Sequence, residues 1–350
     1  MHRILLGAIA TLFTSASAFA ADAISFQGKT VTMIIGSAPG GGTDTSGRLV
    51  AQYLVRHLPG TPTVIVRNVP GADGMTALNY FVQQVQPDGL TIVMGASVNT
   101  DPLHWRAPQS QYNPTKFEFV GGVGRGGTVL MIESAAKPRL HNKSAAPVVM
   151  GALGGVPRSG MLMTMWGIEY LDWNAKWVLG YRGTNDLMIA LERGEAEMSS
   201  TANAFEIERL AKAAKKFEPL TQSGILSDGK VGARPEFGNA PIFSDLMAGK
   251  ITDPLVQQAF DFWKAQSSID KWLALPPGTP APIVAVYRKA YEELGKDPQF
   301  LEQGKKASDD FVPMAHGDVE RLVQTLADTP IEATEYTNVL LRKQGVQAAK

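Results

Sequence analysis

The run Gly36-Ser-Ala-Pro-Gly-Gly-Gly-Thr-Asp44 sits between a short apolar segment, Val31–Ile35, and an amphipathic one. A glycine-rich strand-to-helix loop exposes backbone N–H groups at the positive end of a helix, which is a seat for a carboxylate or phosphate. It is no Walker loop, because no Gly-Lys-Ser/Thr closes it, and no dinucleotide fingerprint, because Thr45 stands where the third glycine belongs. From pattern alone the loop is either an anion seat or a tight turn that packs a helix. A second strand-to-helix loop, Gly151-Ala-Leu-Gly-Gly-Val-Pro-Arg-Ser159, has the same grammar. Arg158 could fork onto a carboxylate there, or could be a solvated surface arginine. Ligands of open α/β sheets bind at the carboxyl ends of strands, where both loops lie.

Catalytic patterns are thin. Beyond the first twenty residues the histidines are His57, His104, His141 and His316, and none has metal-pair spacing such as H-E-x-x-H. Gly-x-Ser-x-Gly is absent. Ser-x-x-Lys begins at Ser134, Ser227 and Ser268 without the S-D-N and K-T-G partners that would give it meaning. Glu192, Glu195 and Glu197 beside Arg193 look like a solvated helix end. Trp166, Tyr170, Trp173, Trp177 and Tyr181 crowd one stretch, as core or, in part, as the lining of an apolar pocket.

The elements that must carry these loops follow from periodicity. Strands are expected at Val31–Ile35, Thr63–Arg67 and Leu90–Met94, with helices beginning at Thr43 or Asp44 and at Met75. Val50, Tyr53, Leu54 and Leu58 share a face of the first helix. Thr43 or Asp44 would cap it. The alternation of strand and helix predicts a parallel, doubly wound sheet. Another strand near Phe117–Val123 precedes a glycine-broken crossover, and the pattern restarts at Val148–Met150, with a helix over Gly160–Glu169, a strand at Trp177–Tyr181 and a helix ending at Gly194. Glu197–Ser200 reads as extended, Ala204–Lys215 as a helix, and Leu220–Ile225 as the return to the first lobe. Trp272–Leu275 is a strand, and helical stripes run from Ile283 to Leu294, Val319 to Leu326 and Ile331 to Leu341. The prediction is an α/β, two-lobed fold, each lobe a mostly parallel sheet flanked by helices. The first lobe takes 21–123 plus 222–350 and the second 124–221, with the ligand cleft between them.

Composition narrows the function. Lys plus Arg number 33 against 33 Asp plus Glu, which argues against nucleic-acid binding. With no cysteine there is no disulfide, thiolate metal site or thiol nucleophile. A hydrophobic fraction of 44% supports a large core. Met1-His-Arg3, the apolar Ile4–Phe13 and Ala18-Phe-Ala20 read as a secretory signal cleaved near Ala20, and so place the chain in the periplasm.

Four segments, in order, resemble the extracytoplasmic solute-binding receptors of tripartite tricarboxylate transporters, often called Bug proteins. They are Val31–Asp44, Val66-Arg-Asn-Val-Pro-Gly-Ala-Asp-Gly74, Gly180-Tyr-Arg-Gly183 running to Gly194-Glu-Ala-Glu197, and Pro276-Pro-Gly-Thr-Pro280. Pro87-Asp-Gly89 before a strand also fits, and the likeness spans nearly all of the chain after residue 20. The resemblance implies a Venus-flytrap receptor of the type II kind that closes on a small carboxylate, gripped largely by backbone groups, and passes it to integral-membrane permease subunits. This sequence departs from the family pattern. Ser37 stands where an aromatic residue is usual and Ala38 where a proline is. Val156, Pro157 and Gly160 occupy the usual Gly-Ser and His places, and Thr201 replaces an aspartate. The Ser37 gap and the tryptophan cluster favour an aromatic or bulky carboxylate.

The residues expected to hold the ligand are Ser37, Gly41, Thr43, Asp44, Ser97 and Asn99 from the first lobe. Arg158, Ser159, Tyr181, Thr201 and Asn203 serve from the second. No catalytic residue, metal or cofactor is expected, and the chain is expected to be a monomer. Two other readings use the same fold. One is an exported hydrolase or transferase, which needs a base beside a cleft serine. The other is a module that presents its ligand to a sensor.

Overall fold

The structure, a computed structural model, describes residues 24–346 apart from 154, 182, 309 and 310. The leader expected over 1–20 lies outside the described residues, as do Gly154 and Arg182 of the predicted loops.

Strand β1 (Thr30–Ile35) leads through the glycine-rich loop into helix α1 (Gly42–Leu54), then β2 (Thr63–Asn68), α2 (Met75–Gln84) and β3 (Thr91–Ala96). β1 pairs in parallel with both β2 and β3. The chain thus winds outward on both sides of β1. α1 packs Val50, Ala51 and Leu54 on one face against Val31, Met33 and Ile35. α2 packs Met75, Leu78 and Phe81 on the other, against Ile34 and Val93. The alternation of β1 side chains between the two faces is what lets one strand serve both cores. A short helix α3 (Pro102–Trp105) precedes β4 (Glu118–Arg125).

The chain then crosses to a second sheet. β5 (Val129–Glu133), β6 (Val148–Leu153), α4 (Leu162–Tyr170), β7 (Ala175–Tyr181), α5 (Thr184–Arg193), β8 (Met198–Thr201), α6 (Ala204–Lys212) and β9 (Phe217–Gln222) follow. This sheet has the order β7-β6-β8-β5-β9. A hairpin, β10 (Ile225–Ser227) and β11 (Lys230–Gly232), and the helices α7 (Phe243–Leu246) and α8 (Pro254–Ser268) come next. β12 (Ile269–Leu275), α9 (Ala281–Leu294), α10 (Pro298–Ala307), β13 (Phe311–Ala315), α11 (His316–Asp328) and α12 (Ile331–Lys343) close the chain. The first sheet has the order β13-β4-β12-β3-β1-β2.

The α/β, two-sheeted architecture is as predicted, but neither sheet is mostly parallel. β12 inserts antiparallel between β3 and β4, and β13 pairs antiparallel with β4. In the second sheet β5 is antiparallel to both β8 and β9, while β6 is parallel to β7 and β8. The strands that return late in the chain need no crossover helix of fixed hand, so they enter the edge of a wound sheet in either sense.

The boundary between the lobes also shifts. Phe217–Gln222 pairs with β5 in the second sheet, close to the expected bound at 221, but Phe237 and Ala240 beyond it still pack with Val129 and Met131 of that sheet. Phe243, Phe260, Trp263, Leu340 and Leu341 pack with Met150 and Met198 of the second sheet and Trp166 of α4. The expected split puts α12 with the first lobe, yet its apolar side chains lie in the second core. α8 serves both halves, because Phe262 and Ala265 face the first sheet's core while Phe260 and Trp263 face the second's. A helix with apolar residues on two faces belongs between two cores.

The tryptophan cluster is that second core. Trp166 is fully buried and meets Phe260 edge-on with ring centroids 5.1 Å apart. Tyr170 and Tyr336 flank it at 5.7 Å and 6.0 Å. Its indole N–H has no partner among the described residues, so shape rather than hydrogen bonding fixes the residue. Trp166→Ala should therefore cost about 3–5 kcal/mol of stability. Trp166→Phe should cost clearly less, because no hydrogen bond is lost with the indole. Urea unfolding of the two variants measures both, and equal losses would contradict this assignment.

Candidate functional site

The carboxyl ends of β1, β3 and β2 lie side by side, and the loops that leave them meet over one cavity. Its volume is ≈ 470 Å³, and its walls include Gly36–Ala38 and Thr43, Pro70–Gly74, and Met94, Ala96, Val98 and Asn99. This is where two helices depart to opposite faces of the sheet, the point at which open α/β sheets bind ligands.

Contact between the loops is made backbone to backbone. A Cβ on Gly36 would lie 2.7 Å from the Cα of Gly74, so no side chain fits there. Gly74 itself has φ 93°, a region that only glycine enters without strain. Ala72 and Asp73 before it are left-handed as well, with φ 45° and 50°. Such residues cost about 1–3 kcal/mol each unless their surroundings hold them. Asn99 does the holding. Its Nδ2 donates to the Asp73 carbonyl at 2.7 Å, and its Oδ1 accepts from the Ala96 N–H at 2.9 Å. Asn99 is thus a wall residue whose polar atoms are already engaged within the protein.

Asp44 is likewise a strut. It lies in the first turn of α1 and is not the cap. The helix starts at Gly42, and Gly41 precedes it without a side-chain cap. The buried carboxylate instead reaches back to the Gly40 N–H at 2.8 Å. Arg48 Nε donates to it at 2.9 Å and Asn68 Nδ2 at 2.7 Å. Asn68 Nδ2 also donates to the Ser37 carbonyl at 2.9 Å. The Arg48 hydrogen bond is the largest influence on the Asp44 carboxyl. Against the opposing effect of burial, and helped by Asn68 and Gly40, it lowers the pKa from 3.8 to about 2.

Of the other first-lobe expectations, Ser37 and Thr43 line the cavity. The Ser37 hydroxyl is buried and has no hydrogen-bond partner among the described residues. Gly41 closes a turn on the Ala38 carbonyl at 3.2 Å, and the Ser97 carbonyl accepts from the Thr100 hydroxyl at 2.8 Å. Neither lines this cavity.

The second sheet contributes elsewhere. Thr201 and Asn203 line a cavity of ≈ 570 Å³ together with Thr184, Ser200, Ala202 and Glu206. Its far wall is Lys306, Ala307 and Ser308, at the end of α10 on the first half. Ala307 and Ser308 also wall a cavity of ≈ 290 Å³ that reaches Gly40, Gly42 and Thr45 on the other side of the glycine-rich loop. The two halves therefore meet at Ala307–Ser308. Arg158 is exposed and lines none of these cavities. Ser159 is left-handed at φ 48°, and its carbonyl accepts from Trp263 Nε1 at 3.2 Å. Tyr181 is half-buried and packs with Val149 and Leu153 against the second sheet's other core. Burial, with a smaller effect of Glu195, raises its phenol pKa.

The residues that sequence reasoning left out are mostly backbone. Gly71–Gly74 reads as a turn before a helix and belongs to one of the four resembling segments, yet the rule that selects Ser97 and Asn99 at a strand's carboxyl end applies to it equally. Glu206 and Lys306–Ser308 carry no sequence signal, because their meeting depends on how the two halves dock.

Two sheets, each wound with helices, joined by crossing segments and opening cavities at strand carboxyl ends, define the fold of the periplasmic binding proteins. The comparisons agree. The chain shares its fold with a TctC solute-binding protein from Polaromonas at a TM-score of 0.64 and 17% identity, over 91% of this chain and 100% of that one. A Rhodopseudomonas palustris protein, Rpa4515, solved with adipate, aligns at a TM-score of 0.51 and 19% identity, over 91% of this chain and 97% of that one. In sequence the chain is 24% identical over 317 residues to a UPF0065 protein of Bordetella pertussis, an alignment that covers 85% of this chain and 86% of that protein. No family model matches the chain. The likeness to solute-binding proteins of the TctC type, expected from the four segments, thus holds in fold.

Asp44 supplies a pH test. Its folded pKa of about 2 lies below the unfolded value of 3.8, so its stabilising contribution is complete above pH 4 and is lost as the pH falls toward 2. Asp44→Asn should lower stability at pH 6 and show a smaller loss between pH 5 and pH 3 than the parent chain. Urea titrations at these pH values measure it. Parallel curves for the two proteins would remove the carboxylate from this role.

Proposed function

We propose that the chain is an exported receptor that captures a small organic carboxylate and delivers it to membrane permease subunits of the tripartite tricarboxylate type. The single observation that carries this is the first cavity, walled by the backbone of three strand-end loops. The two helices that depart from these loops, α1 and α2, have no side-chain cap. The first N–H groups of α2 are taken by the Gly71 and Ala72 carbonyls, so it is the start of α1 that offers partial positive charge to a carboxylate without a basic side chain. Charge-assisted hydrogen bonds of about 1.5–3 kcal/mol each, less the cost of association, support binding in roughly the micromolar range. Met94, Val98, Pro70 and the Ala side chains of the wall suit an apolar ligand body. Ser37, small where the family usually has an aromatic residue, leaves room for it. Adipate bound to the Rpa4515 fold relative fits the same chemistry.

The hydrolase reading is less well supported. A nucleophile needs a base beside it, and Ser37 has no hydrogen-bond partner among the described residues. His104, the histidine nearest this wall, contacts Asn99 at 3.5 Å. Among the described residues no helix is long and apolar enough to cross a membrane, and export follows from the leader pattern in the sequence.

Calorimetry and thermal shift with a panel of aliphatic and aromatic carboxylates test this reading. At least one should bind and raise the melting temperature by mass action. Ser37→Phe should then weaken a bulky ligand by about tenfold or more, because the ring fills the space opposite the amides. No binding across the panel, or an unchanged affinity in Ser37→Phe, would count against it.

A further inference from the structure

Three passages of the chain between the halves lie against one another. Residues 126–128 lead from β4 to β5, and residues 223–224 lead from β9 to the β10–β11 hairpin. That hairpin belongs to the first half. Leu226 packs in the first sheet's core, and the turn N–H groups of Asp228 and Gly229 donate to the buried Asp318 carboxylate of α11 at 2.9 Å and 2.8 Å. Residues 232–234 then return to the second half, where Phe237 packs beside Val129. The passages touch backbone to backbone. A Cβ on Gly127 would lie 2.5 Å from the Gly224 carbonyl oxygen, and one on Gly224 would lie 2.8 Å from that of Gly232. The Thr128 N–H donates to the Ser223 hydroxyl and the Ser223 N–H to the Thr128 carbonyl, both at 2.9 Å. Arg234 ends the third passage. It is 6% exposed, with its guanidinium over the Phe237 ring at 4.6 Å. Its Nη1 donates to the Ala202 carbonyl at 3.1 Å and approaches the Gly126 carbonyl at 3.5 Å. Its backbone N–H donates to Gln222 Oε1 at 2.7 Å. Arg234 thus reaches the first passage, the residue that opens the second, and the loop after β8, where Ala202 walls the cavity between the halves.

We propose that Arg234 is a positioning residue of this receptor: it joins the three passages and the loop after β8 into one unit, and so sets where the wall of the second half stands relative to the first. The proposal rests on the two-halved receptor reading and makes no assumption about the ligand. A guanidinium taken out of water is costly unless its N–H groups are satisfied. An apolar side chain of like volume would fill this place at less cost, so packing alone does not account for a buried arginine. Glu236, 3.4 Å from Nε, is half-exposed and neutralises the charge without fixing its direction. What the planar fork adds is direction: one rigid group holds carbonyls from segments far apart in sequence at a set spacing. The glycines at the two backbone contacts keep that spacing short, since any side chain there would wedge the passages apart.

The test uses the full chain without ligand. The chain has no cysteine, so Gln303→Cys on α10 of the first half and Lys176→Cys on β7 of the second, both exposed positions, take a pair of spin labels. Double electron–electron resonance then reads the spread of distances between the halves. Arg234→Lys keeps the charge but not the fork, and Arg234→Met keeps neither. Both should widen the spread by about twofold or more. A role confined to packing would lower the melting temperature and leave the spread as in the parent, and that result overturns the proposal. Hydrogen exchange of the parent chain gives a decision that needs no variant to fold. The N–H groups of Thr128, Ser223, Arg234 and Asn203 are all hydrogen-bonded. As one cooperative unit they should share a protection factor within about tenfold, and a wider range overturns the proposal. Neither measurement involves a carboxylate, so failure here leaves the carboxylate reading to its own calorimetry.

Discussion

The contact that the site depends on is the approach of Gly36 to Gly74, close enough to exclude a side chain. It locks the loop after β1 to the loop after β2 through backbone alone. Everything around it keeps that approach in place. Asn99 pins the left-handed segment before Gly74 from the β3 side, and Asp44 and Asn68 pin the glycine-rich loop from the α1 and β2 sides. The polar side chains of Asp44, Asn68 and Asn99 are consumed in holding the loops. Preorganising the loops in this way lowers the ordering cost that binding would otherwise meet.

The parallel half of the first sheet was legible because its contacts are local. β1, β2 and β3 follow one another with single helices between, and 3.6-residue stripes at Val50–Leu58 and Met75–Gln84 mark which faces are buried. The antiparallel half was not. β12 lies between β3 and β4 only because the chain returns after passing through the second half. No pattern within Ile269–Leu275 records that neighbour or its direction. The same blindness moved α12. Its stripe is a good amphipathic helix, but a stripe states that a face is buried and not against which core.

Site residues divided along the same line. Ser37, Thr43 and Asn99 line the first cavity, a placement that strand ends and helix starts visible in sequence anticipate. Asp44 was found for the wrong role. A short acid at a helix start reads equally as a ligand group or as a brace, and the choice depends on Asn68, which is distant in sequence. Thr201 and Asn203 reached a cavity, but largely as the cap of α6. Arg158 was singled out for its charge, whereas the loop around it is organised by the Ser159 carbonyl and Trp263.

Two acids near the cavities are held in different ways. Asp44 is buried with three donors, so its charge is spent on structure and hardly reaches a ligand. Glu206 accepts from the Thr201 hydroxyl and lines a cavity that Lys306 also lines. The wall of the first cavity has no basic side chain among the described residues, so carboxylate capture there depends on backbone dipoles, which act weakly and fall off within a helical turn. Such a site discriminates poorly among anions by charge. Its selectivity must come from shape.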